Sequence, residues 1–221
     1  MIMATRIHMT ETTALLSLVQ WMSPAFPTGA FAYSHGLEHT IGAGELASEA
    51  QLTQWLSDVL TYGAGWSDAV LLACGLRGDD LDALGQIARA LAPSAERLSE
   101  TMQQGEAFQK ARAAMLGTDL GPPLALPLAV AQGARELDLT AAQIIAVYLH
   151  GFASNLTSAA VRFVPLGQAQ GQRALAAQHE RIADIAARAA VAQTEDITQS
   201  AFRADMAAML HETMDVRLFK T

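Results

Sequence analysis

Residues 35–39 read His-Gly-Leu-Glu-His and are the clearest candidates for chemistry in the chain. The order matches the H-x-x-E-H pattern of inverted zinc peptidases, in which two histidines one helical turn apart hold the metal and the glutamate polarises a bound water. A catalytic zinc needs a third protein ligand. The remaining histidines show no suitable spacing with His35 and His39: His8, His150, His179 and His211. We therefore expect no catalytic residue and no closed metal site, at most a weak metal contact, and interpret Glu38 and its neighbours as a partly exposed helix end.

Nucleotide and serine-hydrolase motifs are missing from the sequence. A phosphate-binding loop requires a lysine directly after a glycine, and the two lysines, Lys110 and Lys220, do not follow glycine. The G-x-S-x-G turn of serine hydrolases does not occur either. We therefore expect no cofactor and no enzymatic activity. The single cysteine, Cys74, lies in an apolar run and is interpreted as a buried thiol in a reduced, cytoplasmic protein.

Residues 23–38 combine a turn with aromatic side chains. The turn-forming residues are Pro24, Pro27 and Gly29, and the aromatic residues are Phe26, Phe31 and Tyr33. Two prolines and a glycine predict a rigid turn that leads into a helix. The sequence leaves two interpretations open, a helix–helix corner with core aromatics or a rigid platform for a partner protein.

Residues 162–172 form a second unusual polar segment, with two glutamines four residues apart. Gln168 and Gln172 would share one face of a helix that starts after Pro165. Amide side chains are poor acids and bases but adaptable hydrogen-bonding groups. Contact with a partner and simple helix capping are equally consistent with this segment.

The composition favours protein partners over nucleic acid. Only 16% of the residues are charged and 51% are hydrophobic, with a mean hydropathy of +0.20. This composition indicates either an apolar surface that contacts another protein or simply an alanine-rich helical chain. The net charge of −8, with 14 scattered lysines and arginines, argues against phosphate binding. We find no secretory signal and no apolar run of about 18 residues, so we expect no membrane span.

Helical periodicity covers nearly the whole sequence. Apolar residues at spacings of three and four predict a first helix through Leu15, Leu16, Val19 and Met22. Ser48 with Gln51 forms a capping box, and Thr140 is a second N-cap. The helix after Ser48 carries the apolar stripe of residues 52–60 and is weakened at Gly63 and Gly65 before another apolar stretch to Leu76. Further helices are predicted over residues 30–43, 79–91, 95–115, 124–137, 140–160, 169–191 and 194–210. The predicted fold is all-α, a single-domain bundle of about nine or ten helices.

Three segments, in this order along the chain, resemble the UreF family of urease accessory proteins. The first is similar to its Ser-Pro-x-x-Pro-x-Gly turn followed by an aromatic-Ser step and Gly-Leu-Glu. The second is similar to Arg-x-x-Pro-Leu-Gly-Gln-x-x-x-Gln, and the third to an ending Arg-Leu-Phe-Arg-Ser. The matching residues are Ser23, Pro24, Pro27, Gly29, Phe31, Tyr33, Ser34, 36–38, Arg162, 165–168, Gln172 and 217–221.

The resemblance implies a non-enzymatic, all-α protein that forms a homodimer. It implies a complex with the UreD/UreH accessory protein and the UreG GTPase that inserts nickel into apo-urease, and an influence on GTP hydrolysis by UreG. The partner-binding residues would be Pro27, Gly29, Tyr33, Ser34, Glu38, Gln168, Gln172, Arg217, Leu218 and Phe219. The alternative is a helical scaffold or regulator of a GTPase unrelated to nickel.

The chain divides into three predicted parts. Residues 1–13 are expected to be a flexible N-terminal segment, and residues 14–213 a UreF-like helical domain. Residues 214–221, called the tail below, hold the apolar side chains Val216, Leu218 and Phe219 in too short a segment to form a stable isolated helix. We expect the tail to be flexible in the isolated chain and to become ordered on a partner, with docking on the body of the protein as the alternative.

Overall fold

A computed structural model describes residues 10–221 of the chain. It contains α1 (Glu11–Trp21), α2 (Leu37–Gly42), α3 (Glu49–Tyr62), α4 (Ala64–Arg77), α5 (Leu81–Ala90), α6 (Ala95–Leu116), α7 (Leu126–Ala134), α8 (Ala141–Phe163), α9 (Gln168–Ala176), α10 (His179–Ala189) and α11 (Phe202–His211). Short 3-10 helices cover Ala30–Ala32 and Thr194–Asp196. Residues 10–221 contain no strand, so the predicted all-α class is confirmed.

Side-chain caps start most of the longer helices. Ser48 accepts a hydrogen bond from Gln51 N at the start of α3, and Thr140 forms a full capping box with Gln143 at the start of α8. The first helix is capped by Thr10. Residues 11–13 therefore already belong to α1, and the rest of the segment expected to be flexible, residues 1–9, lies outside the described part of the chain.

The core is organised around α4 and α8. All side chains between Trp66 and Cys74 except Asp68 have little or no exposed surface, and α4 packs between α3, α7, α8 and α10. Cys74 is fully buried, as predicted for this thiol, and burial raises its pKa. A second apolar cluster joins α3 and the end of α8 to α2, α9 and α11.

Two glycines allow the close packing of helices. Gly105 on α6 leaves no room for a Cβ atom because the backbone of Leu124 lies against it. Gly36 has φ +78°, and a Cβ atom there would lie 2.8 Å from Ala208 N on α11. Gly36 therefore lets α2 and α11 approach each other, and it fixes the start of α2.

Three predicted helices are interrupted in the structure. Residues 30–43 form a 3-10 helix and the short α2, because Tyr33 is extended and both His35 and Gly36 have positive φ. Residues 169–191 divide into α9 and α10 at Gln178, whose buried amide binds Thr53 O and Ser57 on α3. Residues 194–210 form a short 3-10 helix and become α-helical only from Phe202, since the backbone of Ser200 and Ala201 binds Tyr62 O at the end of α3.

The apolar side chains that predict α1 face outward. Leu15, Leu16 and Val19 are exposed, whereas the buried face consists of Ala14, Leu18 and Trp21. Helix α1 has apolar residues on both faces, so spacings of three and four occur on the exposed face as well as on the buried one. The spacing alone therefore predicts the helix but not its orientation.

Two helical stretches in residues 10–221 have the length and apolar composition of a membrane span, Glu49–Arg77 and Ala141–Phe163. No such stretch was expected from the sequence. Their most apolar windows are 72% and 50% buried inside the fold. Burial in the core accounts for most of the apolar composition of the first stretch, because a helix buried on most sides is apolar nearly all round. Half of the window on α8 is not buried.

Candidate partner-binding site

The turn after α1 is anchored by one aromatic side chain. Phe26 is buried with its ring centroid 5.6 Å from that of Phe108 on α6. Gly29 has a left-handed backbone with φ +72°, which a side chain would strain. Pro27 remains exposed. The rigid turn predicted from the prolines and the glycine is therefore present, with one aromatic residue in the core.

Two side chains of α8 hold the 3-10 helix that follows the turn. Asn155 Nδ2 donates to Ala30 O at 2.9 Å, and Arg162 Nη1 donates to Phe31 O at 3.3 Å. The Phe31 side chain is 65% exposed. The backbone of this segment is thus fixed while its aromatic ring points into solvent.

The tail lies along the next few residues of the same segment. Lys220 N donates to Ala32 O at 2.8 Å, and Ser34 N donates to Thr221 O at 2.9 Å. The Ser34 hydroxyl donates to the same oxygen, and His35 N donates to Thr221 Oγ1 at 3.2 Å. Buried backbone groups of two distant segments therefore satisfy each other.

The Glu38 carboxylate holds the tail at a second point. It accepts hydrogen bonds from Leu218 N at 2.8 Å and Phe219 N at 2.9 Å, and it contacts His211 Nε2 at 3.1 Å. Burial acts to raise the pKa of Glu38, but the hydrogen bonds from Phe219, His211 and Leu218 outweigh it and leave that pKa below its usual value. Glu38 is therefore an anionic clamp for the tail backbone.

His211, the last residue of α11, lies between two carboxylates. Its side chain is fully buried, with Nε2 against Glu38 and Nδ1 2.7 Å from Glu96 Oε2 at the start of α6. Glu96 also forms an ion pair with Arg217 of the tail. The four residues link α2, α6, α11 and the tail, and we call Glu38, Glu96, His211 and Arg217 the latch.

A buried polar layer continues inward from the tail. Thr221 Oγ1 donates to Glu100 Oε2 at 2.7 Å, and Glu100 forms an ion pair with Arg97. A cavity of about 80 Å³ adjoins this pair. On its wall Tyr148 donates to Asp68 Oδ2 at 2.6 Å, and burial raises the pKa of Asp68 to about 6.

Residues 162–163, in the second segment that resembles the UreF family, contact an aromatic ring of the tail. The Phe219 ring is 8% exposed and lies with its centroid 4.9 Å from that of Phe163, and the Arg162 guanidinium is 5.8 Å from the Phe219 ring centre. On the other side, Lys220 Nζ lies 5.6 Å from the ring of Tyr33, whose hydroxyl donates to Gln103 Oε1 at 2.8 Å. Burial raises the pKa of Tyr33.

The predicted partner-binding residues thus separate into three places. Tyr33, Ser34 and Glu38 contact the tail, which contributes Arg217, Leu218 and Phe219. Pro27 and Gly29 belong to the preceding turn. Gln168 and Gln172 are exposed on α9, and within residues 10–221 neither side chain forms a hydrogen bond. These two glutamines share an exposed surface, as predicted, but lie outside the latch.

The structure corrects two expectations. The tail was expected to be flexible in the isolated chain, but it is packed against the body, because Glu38 and Ser34 supply partners for its backbone. Glu38 and its neighbours were expected to be a partly exposed helix end, but His35 and Glu38 are buried. The two histidines of the H-x-x-E-H pattern also do not share a helical face, since α2 begins only at Leu37 and His35 has φ +57°. His35 is buried, and desolvation holds its pKa well below the usual value. No group of three or more metal-ligating side chains occurs in residues 10–221.

Several residues of this site were not predicted as site residues from the sequence, among them Glu96, Glu100, His211 and Thr221. The only nearby sequence feature that singles out any of them is the position of Glu96, a charged residue in the first turn of α6, two residues after the N-cap Ser94. His211 interrupts the apolar spacing at the end of α11, which shows that it is unusual but not what it binds.

The sequence is similar to known proteins of one family. The UreF family model matches residues 46–179. Over 208 residues, covering 94% of this chain and 99% of the relative, the chain is 60% identical to a urease accessory protein UreF from Cereibacter sphaeroides. Proteins of the same name from Jannaschia sp. and Dinoroseobacter shibae are 48% and 45% identical, covering 96% and 94% of this chain and 96% and 99% of their own lengths. The chain therefore belongs to the UreF family of urease accessory proteins.

Proposed function

We propose that this chain is a non-enzymatic scaffold for the maturation of urease by nickel insertion. In this proposal it binds the UreD/UreH accessory protein and the UreG GTPase, positions them on apo-urease, and influences GTP hydrolysis by UreG. It acts in the cytoplasm as a homodimer and carries no cofactor of its own. Family membership supports the urease context, and the motif resemblance supports the choice of partners.

The observation that supports a scaffold function is the exposed apolar face of α11. Its buried face consists of the small residues Ala204, Ala207 and Ala208, next to His211. Its large apolar side chains are exposed instead: Phe202, Met206, Met209 and Leu210. Spacings of four, three and one place these four residues on one stripe, which is the pattern of a helix that presents anchors to a partner.

The tail adds two further exposed apolar side chains. Leu218 is 70% exposed and Val216 is 75% exposed, although the backbone of Leu218 is held by Glu38. In the latch, His211 at the end of α11 binds Glu38 and Glu96, and these two carboxylates in turn bind the tail. Burying a large apolar side chain contributes about 1.5–3 kcal/mol, so a few of these residues would supply much of the binding energy of a partner. Because the backbone is already ordered, binding would not carry the entropy cost of ordering it.

Co-expression with UreD/UreH and UreG tests the partners directly. We expect both to co-purify with the wild-type chain, and we expect Met206→Glu or Leu218→Glu to abolish co-purification of UreD/UreH without changing the melting temperature by more than a few degrees. Val191→Glu is the matched control, because Val191 is equally exposed but lies after α10, away from α11 and the tail.

Three outcomes would contradict parts of the proposal. Wild-type yields of UreD/UreH with both variants would exclude the α11 and tail surface. Equal losses with Val191→Glu would show that any added charge has this effect. Co-purification of a GTPase without any dependence of urease activity on this chain would favour the alternative, a GTPase regulator unrelated to nickel. The homodimer is tested separately by light scattering, which should give twice the chain mass of 23.4 kDa.

A further inference from the structure

Two histidines that are distant in the sequence lie side by side on the surface. His150 is in the middle of α8, and His179 is the first residue of α10. These two helices pack closely against each other. The centroids of the two imidazole rings are 5.6 Å apart, with an angle of 42° between the ring planes.

Both imidazoles open into a groove of about 620 Å³. Its other lining residues are mainly apolar, and they include Val19, Met22, Ala146, Val147, Ile182 and Ala183. Both histidines are exposed, and within residues 10–221 neither ring forms a hydrogen bond. Ring nitrogens without a protein partner are free to bind a ligand from solution.

We propose that His150 and His179 together bind a divalent transition metal of the kind that imidazole prefers, such as Ni²⁺ or Zn²⁺, with solvent completing the coordination. Metal–nitrogen bonds of about 2.1 Å place the ring centroids of two imidazoles on one ion roughly 4.5–5.2 Å apart. The observed 5.6 Å therefore requires a closure of about 0.4–1.1 Å, which small side-chain rotations provide. Two helices in contact hold the pair in place before the metal arrives.

The ligand set also determines how the site would behave. Closed structural sites use four protein ligands, whereas this pair supplies two and leaves the other positions to water. Binding is therefore readily reversible and selects for nitrogen-preferring metals over Mg²⁺ and Ca²⁺, which prefer oxygen ligands. This inference goes beyond the scaffold function, since it gives the chain a metal contact of its own and does not depend on any partner.

Titration calorimetry of the full chain with NiCl₂ tests the site. We expect one Ni²⁺ per chain, no binding of Mg²⁺, and at least about tenfold weaker binding in His150→Ala and in His179→Ala, since even the loss of a group that only orients a ligand costs 10–100-fold. His39→Ala and His8→Ala are the controls and should bind like the wild type. Unchanged affinity in the double variant His150→Ala/His179→Ala, or loss of binding in either control, would overturn the proposal.

A second measurement on the wild-type chain does not depend on how the variants fold. Ni²⁺ is paramagnetic, so substoichiometric NiCl₂ should broaden the ring-proton NMR signals of two histidines together. Assignment of the broadened signals to His150 and His179 would support the site. Broadening of any other pair, or no selective broadening, would refute it. Because no partner is present, failure here leaves the co-purification result for the proposed function unaffected.

Discussion

Replacement of Glu38 by alanine should release the tail while leaving the helical body folded. The carboxylate accepts two backbone hydrogen bonds, from Leu218 N and Phe219 N, and contacts the buried His211 ring. Alanine leaves Leu218 N, Phe219 N and the His211 ring without this acceptor in a partly buried site. The tail therefore becomes the weakest element of the fold.

The size of the effect follows from these contacts. A hydrogen bond to a charged group contributes about 1.5–3 kcal/mol, but the total loss is limited, because an opened tail regains its hydrogen bonds from water. The tail is then kept closed by the burial of Phe219, which contributes about 1.5–3 kcal/mol, and by its remaining hydrogen bonds to Ala32, Ser34 and Glu100. We expect Glu38→Ala to cost about 2–4 kcal/mol of local stability, a roughly thirty- to several-hundred-fold increase in tail opening. Glu38→Gln, which keeps one acceptor oxygen, should fall between alanine and the wild type.

Hydrogen–deuterium exchange read by mass spectrometry measures this opening directly. Peptides that cover residues 214–221 should exchange faster in Glu38→Ala by the stated factor, while peptides from α4 keep their protection. Glu45→Ala is the control, because Glu45 forms only an exposed ion pair with Arg203, worth up to about 1 kcal/mol. The reasoning would be refuted by wild-type exchange of Leu218 and Phe219 in Glu38→Ala, or by an equal effect in the control.

The remaining predictions concern the buried acid, the α9 surface and nucleotide turnover. Because burial raises the pKa of Asp68 from 3.8 to about 6, the folded state binds this proton more tightly, and the free energy of unfolding should fall as the pH rises from about 4 to about 6. Asp68→Asn should remove this slope, worth up to about 3 kcal/mol, and should raise the melting temperature at pH 7.5 but not at pH 4; an unchanged slope would contradict this. The double variant Gln168→Ala/Gln172→Ala should fold normally, within about 0.5 kcal/mol for each surface substitution, yet lower urease activation in cells; full activation would show that this face binds no partner. The purified chain should not hydrolyse GTP, and turnover that disappears on mutation of this chain would disprove the assignment as a non-enzyme.

Most helices were predicted correctly, because the residues that determine them lie close together in the sequence. The caps at Ser48 and Thr140 and most helices follow from side-chain chemistry within four residues. The breaks at Gly36 and Gln178 depend on distant neighbours, Ala208 in one case and α3 in the other, so periodicity continued through them. The outward stripes on α1 and α11 show a related limit, because spacing identifies an apolar face without showing what it packs against.

The site was predicted only in part for the same reason. The resemblance singled out Ser34, Glu38 and the tail as separate segments. The sequence gives no sign that Glu38 binds backbone amides 180 residues away, or that Glu96 and His211 complete the latch. Long-range pairings of this kind depend on the fold, and they also explain why the tail is ordered where chain length alone predicted flexibility.

The nickel content of urease tests the central claim most directly. Urease would be purified from cells that lack their own UreF protein but produce UreD/UreH and UreG, with and without this chain, and its bound nickel would be measured by mass spectrometry. The account predicts nickel-loaded, active urease with the wild-type chain, and largely nickel-free urease with the Leu218→Glu variant or with no chain. Equal nickel content in all three samples would contradict it.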